Sequence, residues 1–390
     1  MRFIRCLLLV VVALSALPHL LRAQEDDGGF LTRTIEDLLS GAGREVNIVG
    51  FAGALSSEAS FDRMTIADDD GIWLTLEDVR LSWSRLALLR GRLEVERLSA
   101  ASLELPRLPE AEETTEIPAA EATEFALPDL PVSVNIELFE VQRIVLGAPV
   151  LGAAAELGVT ANARLDDEGA FIDLEANRVD NAQGTYLVKG SFARATSEIA
   201  VQMELDETAG GIAGRMMNLP GQPSLDLTVA GTGPLDDFTA DITLATDGQD
   251  RVAGQVILGT LPVEVDGSQP DRRVQANLGG DITALVAPQS REFFGTDVRI
   301  DVDAVLAAAG GVNVQAFSLD AQSAQLAGAV RLNADNWPVF IDVGGQIARA
   351  DRRPVILPGS DVETAVQSVT LSVQYDATDG DAFRSSFDVV

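Results

Sequence analysis

From Val46 onward the apolar positions of the chain recur every second residue, the period of a β-strand with one buried face. The alternation predicts strands over Val132–Leu138 and Leu157–Leu165. It also predicts them through Ile199, Val201, Met203 and Leu205, and through Leu225, Leu227 and Val229. Further sets are Ile242 and Leu244; Val252, Val256 and Leu258; Val298, Ile300 and Val302; Leu326, Val330 and Leu332; and Val369, Leu371, Val373 and Tyr375. Between them lie Asp-Asp-Asp-Gly (68–71), Asp-Asp-Glu-Gly (166–169), Asp-Gly-Gln (247–249) and Asp-Gly-Ser (266–268), all hairpin signals. One strand departs from the pattern. In Gly71–Trp83 the apolar set is Ile72, Leu74 and Leu76, then slips by one at Asp78 to Val79, Leu81 and Trp83.

Helical periodicity is confined to two places. Leu31, Ile35, Leu38 and Leu39 give Phe30–Ser40 the spacing of a short amphipathic helix, stopped by Gly41 and Gly43. A turn is expected around Ser84–Arg90. At the N-terminus, Arg2 and Arg5 precede an apolar run from Cys6 to Leu17, ended by Pro18. That run has the length of a signal peptide's core rather than a full bilayer span. Leu21-Arg22-Ala23 is a poor cleavage site, however, and extension through Leu20 and Leu21 makes a short uncleaved anchor. Both readings stay open, and both put the body outside the cytoplasm. The segment Pro106–Pro131 holds five prolines and six glutamates and reads as a flexible acidic loop or linker.

The alternation admits a closed sandwich or barrel, or a long open sheet whose apolar face lines a groove. Base rates favour the sandwich. A membrane barrel is disfavoured by short strands and by only three tryptophans and two tyrosines.

Composition narrows the chemistry. The net charge of −32 repels nucleic acid and anionic headgroups alike, so non-specific binding to either is not expected. The single His and single Cys lie at His19 and Cys6, so Gln24–Val390 contains neither. Ser-His-Asp and Cys-His catalysis, intrachain disulfides and imidazole or thiolate zinc sites are excluded from the body. The one lysine, Lys189, sits in no phosphate-binding motif. Acidic pairs at Asp166-Asp167, Asp236-Asp237 and Asp68–Asp70 stand where turns are expected, and the last lacks the spacing of a calcium loop. The expectation is a non-enzyme with no cofactor and no metal.

The stretch from Leu31 to Pro109 contains "DDDGIWLTLEDVRLSW", "LALLRGRLEVERL" and "LELPRLP", and Ala230–Leu258 reads "AGTGPLDDFTADITLATDGQDRVAGQVIL". These phrases resemble the N-terminal region of the TamB family, within the AsmA-like superfamily. The resemblance implies a mainly β, elongated, curled antiparallel sheet forming an open, taco-like groove, with a short N-terminal helix. The slip at Asp78 then reads as a bulge or corner that bends the sheet. The implied divisions are 1–24 as signal or anchor, 25–105 as helix and first rungs, 106–131 as acidic loop, and 132–390 as continuing groove. The implied function is a periplasm-spanning bridge of a Gram-negative envelope. It would carry phospholipid and aid outer-membrane protein assembly with a TamA-like barrel, from an inner-membrane anchor. TamB-family chains are much longer, so this one reads as an N-terminal portion, with the TamA-binding region outside it.

Physical chemistry supports a lipid reading. Exposing the roughly 30 methylenes of a phospholipid to water costs on the order of 24 kcal/mol, and an aliphatic trough removes most of that barrier. The groove candidates are Leu74, Leu76, Ile199, Val201, Met203, Leu205, Leu225, Leu227, Val229, Val298, Ile300 and Val302. The alternative is an elongated periplasmic scaffold that binds proteins and carries no lipid.

Overall fold

Period-two patterning is realised throughout a computed structural model that describes residues 45–53, 56–109, 127, 132–262, 269–359, 364–379 and 382–389. The N-terminal leader, the helix expected at Phe30–Ser40, most of the acidic segment and the Asp266–Ser268 turn lie outside these residues. Strands account for 64% and helices for 8%. Nineteen strands belong to open sheet that does not close into a barrel. The sandwich preferred on base rates is therefore set aside: apart from one two-stranded ribbon, no second sheet exists among the described residues. The chain divides into two compact units, Met1–Glu113 with Pro128–Lys189, and Thr114–Leu127 with Gly190–Val390.

The first unit contains β1 (Glu45–Val49), β2 (Glu58–Asp68), β3 (Gly71–Trp83), α1 (Arg85–Leu88), β4 (Arg92–Leu105), β5 (Ser133–Leu146), α2 (Ala148–Leu151), β6 (Ala155–Leu165) and β7 (Gly169–Arg178). The division from the second unit falls inside β8 (Gly184–Ala193). Strands β1 to β4 form an antiparallel meander. Strand β5 then pairs with β4 in parallel, which requires the long connection through the acidic segment. Antiparallel pairing resumes through β6 and β7.

The slip at Asp78 has a different origin from a bulge there. Asp78 has φ of 49°, but β3 keeps its register on both sides of it: Glu77 and Val79 face Arg63 and Phe61, and Glu77 and Arg80 face Ser102 and Ser99. The neighbours change face at the same place. The inward residues step by three from Phe61 to Met64 on β2, from Leu76 to Val79 on β3, from Ala100 to Leu103 on β4 and from Val141 to Ile144 on β5. A strand can switch faces in register only if its partners switch with it, because otherwise every cross-strand apolar pair is broken. The line of slips ends at β5, where a register shift between Val141 and Ile144 lets β6 alternate cleanly. A bulge does occur earlier in β3: Ile66 faces Leu74 but Ala67 faces Ile72. Trp73 is the extra residue, buried beside Leu74, and Ile72 is turned to solvent with 52% exposure. Ile72 therefore does not belong to the inward set its spacing suggested.

The second unit contains β9 (Glu198–Glu207), α3 (Ile212–Met216), β10 (Leu225–Pro234), β11 (Asp237–Thr246), β12 (Gln249–Thr260), β13 (Arg272–Gly280), α4 (Arg291–Phe294), β14 (Val298–Leu306), β15 (Val312–Asp320), β16 (Ala324–Leu332) and β17 (Pro338–Ala348). A ribbon of β18 (Val355–Ile356) and β19 (Ala365–Val366) precedes β20 (Ser368–Asp376) and β21 (Ala382–Val389). From β9 to β17, then β20 and β21, each strand pairs antiparallel with the next. The acidic turns do what turn chemistry requires. Asp247 and Gly248 both take positive φ, the two-residue hairpin geometry that suits strand twist. The Asp166 carboxylate accepts from the amides of Glu168 and Gly169 at 2.9 and 3.1 Å.

Ion pairs tie down the strand ends. The Asp180 carboxylate, just past β7, accepts from Arg178 Nε at 3.0 Å and from the amides of Glu156 and Ala182. The Arg178 guanidinium, and then these amides, hold its pKa below the usual aspartate value. A depressed pKa means that the stabilisation is present above the unfolded value of about 3.9 and is lost as pH falls through the folded value. Asp180→Asn is expected to cost about 1–2 kcal/mol at neutral pH and to flatten the acid limb of stability. Thermal unfolding of both forms at pH 7 and at roughly pH 3 checks this, since the difference between them should shrink in acid.

Candidate functional site: an unpaired apolar face

Register converts the alternation into continuous rows. In the first unit one row runs Ile48, Met64, Leu76, Leu103, Ile144 and Leu157, each directly opposite the next across six strands. A parallel row runs Ala59, Leu81, Leu98, Phe139, Ala161 and Leu174. Trp83, Val95, Ile136 and Ala163 form another. This face is closely packed, with Trp73, Leu74, Val79, Trp83, Leu93, Val95 and Val141 all buried. The indole N–H groups of Trp73 and Trp83 are buried without a hydrogen-bond partner, so each is held for its apolar surface against a desolvation penalty of about 1–3 kcal/mol.

In the second unit the longest row starts at Met203 and runs through Val229, Ile242, Gly254, Leu278, Ile300, Leu319, Leu326, Gly345 and Leu371 to Phe387. At about 4.8 Å between strands, this path is roughly 48 Å long. Beside it runs a row from Val201 through Gly231, Ala240, Val256, Ala276, Val302, Phe317 and Gly328 to Val343 and Val373. Here the face is only half-covered: Met203, Leu258 and Ile300 remain 42%, 37% and 40% exposed.

Glycines bend this sheet toward its apolar side. A Cβ at Gly254 would lie 1.9 Å from the Asn277 carbonyl oxygen, and one at Gly345 would lie 2.3 Å from that of Gln325. In a flat sheet an inward Cβ stands clear of the neighbouring backbone. Such approaches therefore require the strands to roll over the apolar face, which only glycine permits.

One edge of the face is closed. Long connections follow β9, β13 and β17, and because every second antiparallel strand ends on the same side, all three emerge at one edge. The connection after β9 buries Ile212 and Leu219, and the buried Glu207 carboxylate caps α3 by accepting from the amides of Ile212 and Ala213 at 2.7 and 2.8 Å. The connections after β13 and β17 lay Phe293, Val355 and Val366 on Ala324, Ile347 and Val369, the apolar row at that edge. Between the first two closures lies a cleft of about 690 Å³, lined by Leu219, Pro220, Gln222, Leu285 and Pro288 among others.

The opposite face is polar. Arg63 pairs with Glu77, Arg143 with Glu156 and Arg273 with Asp303, while Gln255 donates to Asp241 and Ser318 to Asp301. These links keep the outer surface solvated. The Asp68 carboxylate, one of the acidic run, is held by Arg107.

The candidate residues read from the alternation fall as follows. Leu74 and Leu76 share the inward face of the first unit, with Leu74 fully packed. Val201, Met203, Val229, Ile300 and Val302 lie in the two rows of the second unit, and Ile199, Leu205 and Leu227 flank them on the same face. Leu225 and Val298 are 2% exposed, closed in at the edge. The rows also contain Val256, Leu278, Phe317, Leu319 and Val343, which the sequence alone did not single out as site residues; only the register brings them in. No helix among the described residues is long and apolar enough to cross a membrane.

A model of the family described as "YdbH-like: Intermembrane phospholipid transport protein YdbH" matches residues 8–352. No curated protein and no solved structure matches the chain.

Proposed function

The chain belongs to the YdbH-like family, an AsmA-like family of intermembrane phospholipid transport proteins; from that premise we propose that the half-exposed apolar rows of the second unit are the path along which phospholipid acyl chains move. The observation that carries the reading is the half-exposed apolar row from Met203 to Phe387, with a polar outer face behind it. A lining of methyl and methylene groups has no polar anchor that fixes a chain at one point, so acyl chains exchange positions at low cost while staying out of water. Headgroups remain at the open side, where the chain's acidic surface is hydrated. No turnover chemistry is part of the proposal: its carboxylates serve turns and ion pairs.

Two finer elements rest on the TamB resemblance of Leu31–Pro109. They are an inner-membrane anchor at the N-terminus and a TamA-like barrel as a partner in outer-membrane assembly. Placement in the cell envelope follows from the family's intermembrane role.

The test is photocrosslinking along β14. A crosslinking amino acid at Ile300 or Val302 should capture phospholipid, and one at Arg299 or Asp301 should not. Lipid adducts without this two-residue alternation, or none at all, would return the second unit to the protein-binding scaffold reading.

A further inference from the structure

We propose that the β3–β4 turn is a wedge that seats the first unit on an anionic phospholipid surface. The turn has two sides of opposite character. Ala87 is buried, and Leu88 packs on the cluster of Trp83, Leu93 and Val95. Leu86 and Leu89 point the other way and are 71% and 85% exposed. Single exposed leucines are ordinary, but here two adjoin on a single helical turn with no charge between them.

Charge identifies the occupant. From Ser84 to Leu93 the chain carries Arg85, Arg90 and Arg92, in a protein with 60 acidic side chains against 28 basic ones; Arg92 pairs with Glu94 at 3.2 Å, so the turn itself offers Arg85 and Arg90. A surface that takes both leucines and the Arg85 and Arg90 guanidinium groups is apolar just beneath a layer of negative charge, the cross-section of an anionic bilayer. The β6–β7 hairpin on the same edge of the unit bears Asp166, Asp167 and Glu168, so the contact is limited to the β3–β4 corner.

The turn is already rigid. The Ser84 hydroxyl accepts from the Ala87 amide at 3.3 Å, and Ser84 N–H donates to the Glu94 carbonyl at 2.8 Å. Arg90 and Gly91 donate back to the carbonyls of Ala87 and Leu88, and Ser133 N–H donates to that of Gly91. Seating on a membrane therefore requires little ordering of the chain. The proposal does not depend on lipid occupying the second unit.

The experiment uses the full chain with Cys6→Ser and Leu89→Cys, the new thiol carrying an environment-sensitive dye. Vesicles of phosphatidylethanolamine and phosphatidylglycerol, with brominated acyl chains as quenchers, should shift the dye's emission to the blue and quench it. Phosphatidylcholine vesicles should do so several-fold less. Arg85→Glu with Arg90→Glu should weaken the effect about tenfold or more, by the usual contribution of each basic residue near an anionic surface. The same dye at Asp69→Cys, at the other end of β3, should stay in water. Circular dichroism confirms that each variant is folded. Phospholipid bound by the Arg85→Glu, Arg90→Glu protein, measured by mass spectrometry, should be unchanged, which separates this contact from groove occupancy. A dye at position 89 that is not quenched overturns the proposal, as does equal quenching on neutral vesicles. Burial of the dye without vesicles also overturns it, and assigns the turn to another segment of the chain or to a protein.

Discussion

Gly345→Val lowers the melting temperature of the second unit by about 6–12 °C, whereas Gly344→Val moves it by about 2 °C at most. The two glycines are adjacent on β17 and point to opposite faces. At position 345 a Cβ meets the Gln325 carbonyl oxygen at 2.3 Å and Leu326 Cδ2 at 2.6 Å. The side chain could yield, but the carbonyl belongs to the β16–β17 ladder. Relief therefore requires the strands to unroll, at about 3 kcal/mol or more. At position 344 the nearest atom to a Cβ is the Leu371 carbonyl oxygen at 3.8 Å, an ordinary contact. Both variants carry the same β-branched side chain, so strand propensity cancels and only the curvature is read. Equal melting temperatures would mean that the sheet does not need its inward roll.

The strands and their faces were legible because period-two alternation is a direct record of burial. Leu157–Leu165 and Ile199–Leu205 needed no more than counting. The turns at Asp68–Gly71, Asp166–Gly169 and Asp247–Gln249 were legible too, since positive φ and carboxylate capping restrict the residue types. What escaped depends on register, which a single strand does not encode. Trp73 reads as an outward residue until β2 shows that it is the bulged one, and the slip at Asp78 reads as local until β2, β4 and β5 slip beside it. Gly254 and Gly345 look like strand weakeners, because their reason is a carbonyl on the next strand. The closures after β9 and β13 were missed because helices of four or five residues are too short to show a period, and the one after β17 because strands of two residues are too short to alternate.

Val201→Arg leaves the second unit folded and empties it of phospholipid. Val201 is half-buried, and its cross-strand partner on β10 is Gly231, which has no side chain. The neighbouring Met203 is 42% exposed, so solvent is within reach of a long side chain. An arginine can lay its stem along the row and carry its guanidinium to the open side, with a change in stability of about 1 kcal/mol or less. The matched substitution on the closed face of the first unit behaves differently. Val141 is 2% exposed among Val79 and Ala100, and Val141→Arg would bury an unpaired charge at a cost of several kcal/mol, enough to unfold that region. For the lipid the order reverses, because a guanidinium across the row interrupts a path that only aliphatic groups had lined. Phospholipid retained by detergent-free protein, measured by mass spectrometry, should fall about tenfold or more for Val201→Arg, since placing one charge against acyl chains forfeits at least 1.4 kcal/mol. Retained folding with lost lipid is the signature of an open groove. A cooperative loss of structure in Val201→Arg, or a folded variant that keeps its lipid, would remove this row from the transport path.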